Sequence, residues 1–108
     1  MRNLSRFLNN SFDSIEKIIF ETTIRIEVVD IYPELDMMLI ILNTKAVLHQ
    51  KLSTYKRLST ASKEALLRFE LIGGGTGIHW PLLDKDLSLK GFLRDELLNM
   101  AKKDTLAV

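Results

Sequence analysis

The nine residues from Gly73 to Pro81, GGGTGIHWP, concentrate the residue types that bind phosphate or carry out acid–base chemistry. They include four of the five glycines, the only tryptophan and one of the two histidines. A P-loop needs a strand, a glycine-rich loop ending in Gly-Lys-Ser/Thr, and then a helix, and a dinucleotide-binding loop also opens a helix. Here the apolar spacing predicts a helix before the glycines and a strand after them, and no Lys follows Gly77. The order argues against a nucleotide site and predicts that Gly73 ends a helix and begins a turn.

His79, Asp84 and Asp86 form the second candidate site. Together they could bind a metal through mixed nitrogen and oxygen ligands, or perform hydrolytic acid–base chemistry. The simpler interpretation places both aspartates just before a helix, where they interact with its N-terminus. Successive strand residues point to opposite faces, so His79 and Trp80 cannot both be buried in one core.

We therefore expect no catalytic residue, no bound cofactor, no metal site and no enzymatic activity. A small metal site or hydrolase at His79, Asp84 and Asp86 is one alternative. No nucleophile elbow of the Gly-x-Ser-x-Gly type is present to strengthen it.

Charge is distributed unevenly, although the net charge is only +1. Residues 27–36 contain four carboxylates and no Lys or Arg, whereas residues 45–68 contain six Lys or Arg and one Glu. The pattern predicts two solvated faces or a surface that attracts a charged partner. A nucleic-acid-linked regulator is a second alternative, and the residues it would use are Lys51, Lys56, Arg57 and Lys63. Tyr55 is the only aromatic residue near them, and a single aromatic side chain offers little surface on which bases could stack.

Three strands are predicted in the first half of the chain. Ile24 to Val28 alternates between apolar and polar residues, which is typical of a half-buried strand. Met37 to Leu42 is continuously apolar and predicts a central strand covered on both faces. Ala46 to Leu52 alternates again, so the three strands form an antiparallel meander.

Helices are predicted on either side of this meander. Residues 4–19 show apolar positions at helical spacing. Ser62 is a predicted N-cap of a helix that runs to Ile72, and Ser88 is the predicted N-cap of the last helix. Between those two helices, Gly77 to Trp80 is predicted to be a short strand.

The expected fold is therefore a two-layer α+β domain in the order α-β-β-β-α-β-α. A mainly antiparallel sheet, consisting of the meander and a short fourth strand, carries helices on one face. We expect residues 1–108 to form one domain. It comprises an N-terminal amphipathic helical extension (1–21), an α+β core (22–101) and a frayed tail (102–108). The extension could dock on the core, on a partner or on a second copy.

The remaining composition favours a cytoplasmic protein. The chain contains no cysteine, which fits a reducing compartment, and its longest apolar run is too short to cross a membrane. No secretory signal is visible in the first twenty residues.

The C-terminal half resembles the bacterial family known as domain of unknown function 2442. One branch of the family has a motif close to G-x-G-I-H-W-P-x-L-D-E-D-L-S-x-x-G, and the resemblance covers about residues 22–95. The residues that match the branch pattern are Leu58, Ala61, Ser62, Glu64, Gly75, Gly77, Ile78, His79, Trp80, Pro81, Leu83, Asp84, Asp86, Leu87, Ser88, Gly91 and Leu93. Lys63, Lys85 and Phe92 depart from it.

The resemblance implies a small α+β domain without an established activity. Family members are often similar, in size and gene context, to the antitoxin half of a two-protein module. We therefore expect a non-enzymatic protein-binding module, possible partners being a toxin-like small protein or a second copy, and no membrane. The candidate interaction residues are His79, Trp80, Asp84, Asp86, Lys56 and Arg57.

Overall fold

The structure is a computed structural model that describes the backbone of residues 14–107 and the side chains of residues 14–102. Residues 14–107 contain four helices: α1 (residues 14–22), α2 (Lys56–Ser59), α3 (Lys63–Leu67) and α4 (Leu89–Ala107). Six strands accompany them: β1 (Ile26–Tyr32), β2 (Met37–Leu42), β3 (Val47–Gln50), β4 (Glu70–Ile72), β5 (Gly77–Trp80) and β6 (Lys85–Ser88). Short 3-10 turns occupy Pro33–Leu35 and Leu52–Thr54.

Strands β1, β2 and β3 form sheet 1, an antiparallel meander with β2 at its centre. Met38, Ile40 and Leu42 point from β2 into the core, where their exposed fractions are 0%, 0% and 3%. The predicted meander is confirmed. The residues on the opposite face of β2, Met37, Leu39 and Ile41, are only partly buried among the described residues, so the expectation of a strand covered on both faces holds fully for the inner face alone.

Strands β4, β5 and β6 form sheet 2, a second antiparallel meander that the sequence analysis did not predict. The helix beginning after Ser62 ends at Leu67, not at Ile72, and Gly73 does not terminate it. Residues Glu70–Ile72 instead pair with Gly77–His79. The α+β class is confirmed, but the expected fourth strand belongs to this separate sheet.

The glycine run forms the turn between β4 and β5. Gly73, Gly74 and Gly75 all have positive φ angles, of 58°, 64° and 99°, which L-residues with side chains adopt at a cost. Gly75 also accepts a hydrogen bond from the Ile26 backbone N–H at 2.8 Å. The turn of sheet 2 is thus attached to the beginning of sheet 1.

Both predicted serine caps are confirmed. The Ser62 hydroxyl accepts the Ala65 backbone N–H at 3.1 Å, and the Ser88 hydroxyl accepts the Gly91 N–H at the same distance. Each bond satisfies a backbone donor that the first helical turn leaves without an intrahelical acceptor.

One hydrophobic core lies between the sheets and the helices. It includes Trp80, Ile78, Leu89 and Phe92, whose exposed fractions are at most 1%. Helix α1 docks on the same core through Ile15 and Ile19. The rest of the predicted N-terminal extension, residues 1–13, lies outside the described residues, and the tail predicted from residue 102 continues α4 to Ala107. No helix in the described part of the chain combines the length and the apolar character needed to cross a bilayer.

Candidate functional site

The outer face of sheet 2 carries a row of three polar side chains. The strand register places Glu70 beside His79 and His79 beside Asp86. The Nδ1 atom of His79 contacts an Asp86 carboxylate oxygen, and the two side chains are 29% and 64% exposed. The carboxylate stabilises the imidazolium by this hydrogen bond and by its charge, so the pKa of His79 is raised above its usual value of 6.5. Nearby Glu70 and Asp84 raise the pKa of His79 further.

Beside this row, Gly77 leaves a shallow groove on the same face. A Cβ atom at Gly77 would lie 3.2 Å from the Ile72 side chain and 3.2 Å from the Leu87 carbonyl oxygen. Because glycine has none, Ile72 packs across the sheet at this point. The groove has a volume of about 350 Å³, and Ile72, Gly73, Thr76, Gly77, Asp86, Leu87 and Ser88 line it.

Trp80 points to the opposite face from His79, as the strand alternation predicts. It is fully buried, its indole N–H donates to the Leu66 carbonyl oxygen at 3.0 Å, and its ring centroid lies 6.3 Å from that of Phe69. These contacts join β5 to the end of α3. Trp80 therefore supports the site from behind and has no surface of its own for a partner.

Asp84 and Asp86 occupy different positions from those expected. Asp86 lies within β6 and not in a loop before the helix, so it contacts His79 and not the N-terminus of α4. Asp84 lies in the β5–β6 turn with a φ of 47°, and its backbone carbonyl accepts the Arg57 guanidinium at 2.6 Å. No group of three described His, Asp or Glu side chains is arranged to hold a metal ion.

The acidic and basic segments of the sequence face each other in the structure. The Nζ atom of Lys45 lies 3.2 Å from Glu27, and that of Lys63 lies 3.2 Å from Glu34. Such exposed ion pairs contribute little to stability, but they reduce the positive charge available to a phosphate backbone. The Arg57 side chain connects α2 to the β5–β6 turn by its hydrogen bond to the Asp84 carbonyl. Lys56 is the other predicted basic residue, and its side chain makes no hydrogen bond or ion pair with another described residue.

Strand β4 is the part of this site that sequence reasoning missed. It is an edge strand whose three residues are all exposed, including Leu71 at 39% and Ile72 at 37%. Leu67, just before it, is 46% exposed. Two short apolar runs on either side of a glycine-rich loop are a hairpin signal, and this signal was present at Leu71–Ile72 and Gly77–Ile78.

These features define a small α+β domain of two three-stranded sheets. Sheet 2 carries the polar row of Glu70, His79 and Asp86 and has β4 as an exposed edge strand. The family model described as Protein of unknown function (DUF2442) matches residues 26–96, and the chain belongs to this family. The family resemblance inferred from the GIHWP segment is thereby confirmed.

Two solved structures are similar to the chain. A protein of unknown function from Rhodospirillum rubrum is 27% identical, with a TM-score of 0.58, and the match covers 65% of this chain and 84% of that one. An uncharacterised protein from Chromobacterium violaceum is 22% identical, with a TM-score of 0.60 and coverages of 86% and 82%, which shows a shared fold. No curated protein matches the chain.

Proposed function

We propose that this protein is a non-enzymatic protein-binding module of the bacterial cytoplasm, antitoxin-like in that it binds another small protein. The observation that carries the proposal is the open edge of sheet 2. In the order β4-β5-β6, β4 is an outer strand, and its three residues are exposed. A strand of a partner can add to such an edge through backbone hydrogen bonds.

The side chains around β4 give this edge a basis for selectivity. Leu67, Leu71 and Ile72 supply apolar surface at the edge. On the outer face, an added strand would lie directly beside Glu70 and Ile72 of β4, and the groove over Gly77 with the His79–Asp86 pair lies beyond them on β5 and β6, within reach of a long side chain only. An apolar edge next to a fixed polar pair distinguishes one partner strand from another, because unmatched polar groups cost free energy on burial.

The kind of partner follows from the family resemblance. Its members are similar to the antitoxin half of two-protein modules, so the product of the neighbouring small gene is the first partner to test. The alternative of a nucleic-acid-linked regulator has less support, because Lys45, Arg57 and Lys63 already make contacts within the chain.

The test is co-expression with the neighbouring gene product, followed by size-exclusion chromatography and calorimetric titration. We expect a complex with a dissociation constant in the micromolar range or below. Ile72→Lys places a charge on the edge and should weaken binding by about tenfold or more, roughly 1.4 kcal/mol. Leu35→Lys is the matched control, because Leu35 is 65% exposed in the turn between β1 and β2, away from sheet 2.

Two outcomes would contradict the proposal. Absence of a complex at micromolar concentrations would remove the antitoxin-like role. A complex that Ile72→Lys and Leu35→Lys weaken equally would show that a partner is bound elsewhere than at β4.

A further inference from the structure

The outer face of sheet 1 is a largely apolar surface that is only partly buried by the described residues. At one corner, Met37, His49 and Lys51 border a cavity of about 600 Å³ whose other side is formed by residues of α4, including Asp95 and Lys102. Strand alternation and register put three rows on it: Val28–Ile41–Val47, Asp30–Leu39–His49 and Tyr32–Met37. Lys51 continues the third row in extended conformation directly after β3. Val28, Tyr32 and Val47 are 42%, 40% and 43% exposed, and the three β2 residues between them are partly exposed.

Such a face is unusual for a monomer. An antiparallel sheet with one free face alternates apolar and polar residues, whereas β2 reads MMLIIL and has no polar residue on either face. Contiguous exposed apolar patches on a folded domain mark interaction sites. The composition of β2 therefore favours a second layer on the outer face.

We propose that the second layer is the outer face of sheet 1 from a second copy of the chain, packed about a two-fold axis parallel to β2. In this arrangement β1 of each copy lies over β3 of the other. Val28 then faces Val47 of the second copy, Asp30 faces His49, and Tyr32 faces Lys51. Leu39 and Ile41 of each copy meet their own equivalents at the axis, as in an aligned sandwich of two sheets.

Charge selects this orientation over the other two-fold packing. An axis perpendicular to the strands would place β1 over β1, so that Asp30 would face Asp30 of the second copy in an apolar interface. Like charges opposed in an interface are unfavourable. Within one chain, Asp30 and His49 lie on the two outer strands with β2 between them, about 9–10 Å apart from the usual strand spacing, so neither satisfies the other.

The remaining charge near the face is neutralised within each chain. Glu27, at the bulge before Val28, pairs with Lys45 at 3.2 Å. This inference goes beyond the proposed function, since the dimer uses sheet 1 and leaves the β4 edge of sheet 2 open. Each copy of the dimer would retain its own binding edge.

The first test is the mass of the full chain in solution, measured by light scattering and sedimentation velocity over a range of concentrations. We expect a dimer, and we expect Leu39→Lys to convert it to a monomer, because the substitution places two ammonium groups at the axis. Leu82→Lys, at a 57% exposed position in the turn between β5 and β6 of sheet 2, should leave the dimer intact. Circular dichroism of both variants checks that the fold is retained, and Val47→Lys serves as a second face variant at a more exposed position.

The second test fixes the orientation and uses the absence of cysteine from the sequence. Val28→Cys mixed with Val47→Cys should cross-link efficiently with a bismaleimide that spans about 10 Å, the usual separation of packed sheets. Val28→Cys mixed with Tyr32→Cys should cross-link poorly, since these positions face each other only in the perpendicular arrangement.

A chain that remains monomeric at every concentration overturns the proposal. In that monomer, protection of the introduced thiol of Val28→Cys or Val47→Cys from a small thiol reagent would assign the face to another part of the same chain. A dimer that Leu39→Lys leaves intact, or one that cross-links through the second pair of variants, also overturns it.

Discussion

The two sheets have the same strand number and the same meander topology, but their outer faces differ in chemistry. Sheet 1 presents mainly valine, leucine, isoleucine and methionine on its outer face, with Asp30 and His49 on the two outer strands, whereas sheet 2 presents the polar row Glu70, His79 and Asp86. The inner faces are alike, since both are buried in one core. The difference indicates that the outer face of sheet 1 has the composition of a covered surface, while that of sheet 2 has the composition of a surface in contact with water.

The sheets also differ in how they are held together. Sheet 1 contains the longer strands and builds its own core layer from β2. Sheet 2 has strands of three or four residues, and short strands give little stability alone. Sheet 2 is therefore held to the rest of the described residues by tertiary contacts such as the Trp80 indole to Leu66, the Gly75 turn to Ile26, and the Arg57 guanidinium to the Asp84 carbonyl.

The largest effect is expected from removing the first of these contacts. Trp80→Ala deletes a fully buried ring together with its hydrogen bond, and should lower the free energy of unfolding by about 3–5 kcal/mol. Urea denaturation followed by circular dichroism measures the change. Trp80→Phe keeps most of the ring volume and should cost clearly less. Equal losses for the two variants would show that the hydrogen bond, and not the packing, connects β5 to α3.

A smaller effect is expected at the turn that joins the sheets. Gly75→Ala would place a Cβ atom 2.7 Å from the Ile26 carbonyl oxygen, at a φ of 99°. Strain and overpacking together should cost about 2–4 kcal/mol. Gly74→Ala is the matched control, because Gly74 also has a positive φ but nothing lies within 4 Å of the added methyl. Its cost should be about 1 kcal/mol from backbone strain alone. If both variants lose the same stability, the contact between the turn and β1 does not matter.

The partly buried hydrogen bond between Tyr55 and Gln50, beneath sheet 1, should contribute less stability than either contact of sheet 2. The Tyr55 hydroxyl donates to the Gln50 side-chain oxygen at 2.7 Å, and Gln50 is 7% exposed. Burial is the largest cause that raises the pKa of Tyr55, to about 12, so the phenol remains protonated and able to donate into the alkaline range. Tyr55→Phe should cost about 1–2 kcal/mol in urea denaturation, because the Gln50 oxygen loses its donor. The double variant Tyr55→Phe with Gln50→Leu should recover part of that loss, and no recovery would assign the effect to packing.

Sheet 1 was predictable from the sequence, whereas sheet 2 was predictable only in part. The run Met37–Leu42 specifies the central strand without tertiary information. The alternation from Ile24 to Val28 located β1 only roughly, because the observed strand is Ile26–Tyr32 and a bulge puts Ile26 and Val28 on opposite faces. Ser62 and Ser88 were recognisable as caps because N-cap chemistry is local. The opposite directions of His79 and Trp80 follow from strand geometry alone.

Strand β4 was not predictable in the same way, because the apolar spacing around it fits the period of a helix as well as that of a strand. Ala65, Leu66, Phe69 and Ile72 have helical spacing, and the three residues of β4 are too few to show alternation. Residues 70–72 form a strand because they pair with β5 and because Phe69 contacts Trp80, and both interactions are tertiary. Because the second sheet was not predicted, Asp86 was assigned to a loop and not to a strand. Its contact with His79 could therefore not be inferred.

The smallest effect concerns the charge state of His79 and tests the polar character assigned to sheet 2. The pKa of His79 is raised in the folded protein, chiefly by the hydrogen bond to Asp86. The stabilisation from this pair is therefore fully present below the usual histidine pKa and is lost as the pH rises through the folded-state value. Asp86→Asn should lower the His79 pKa and remove this pH dependence, with the urea midpoint changing most at low pH.

The measurement is an NMR titration of the His79 ring in a His49→Gln background, so that one imidazole is observed. Asp84→Asn is the control, because Asp84 acts on His79 only by its charge and as the weakest of the contributions that raise the pKa. It should lower the pKa less than Asp86→Asn does. An equal decrease of the His79 pKa in the two variants would mean that the summed negative charge of the sheet, and not the bond to Asp86, raises the pKa. The His79–Asp86 pair would then not be a fixed feature of the outer face of sheet 2 that a partner strand could recognise.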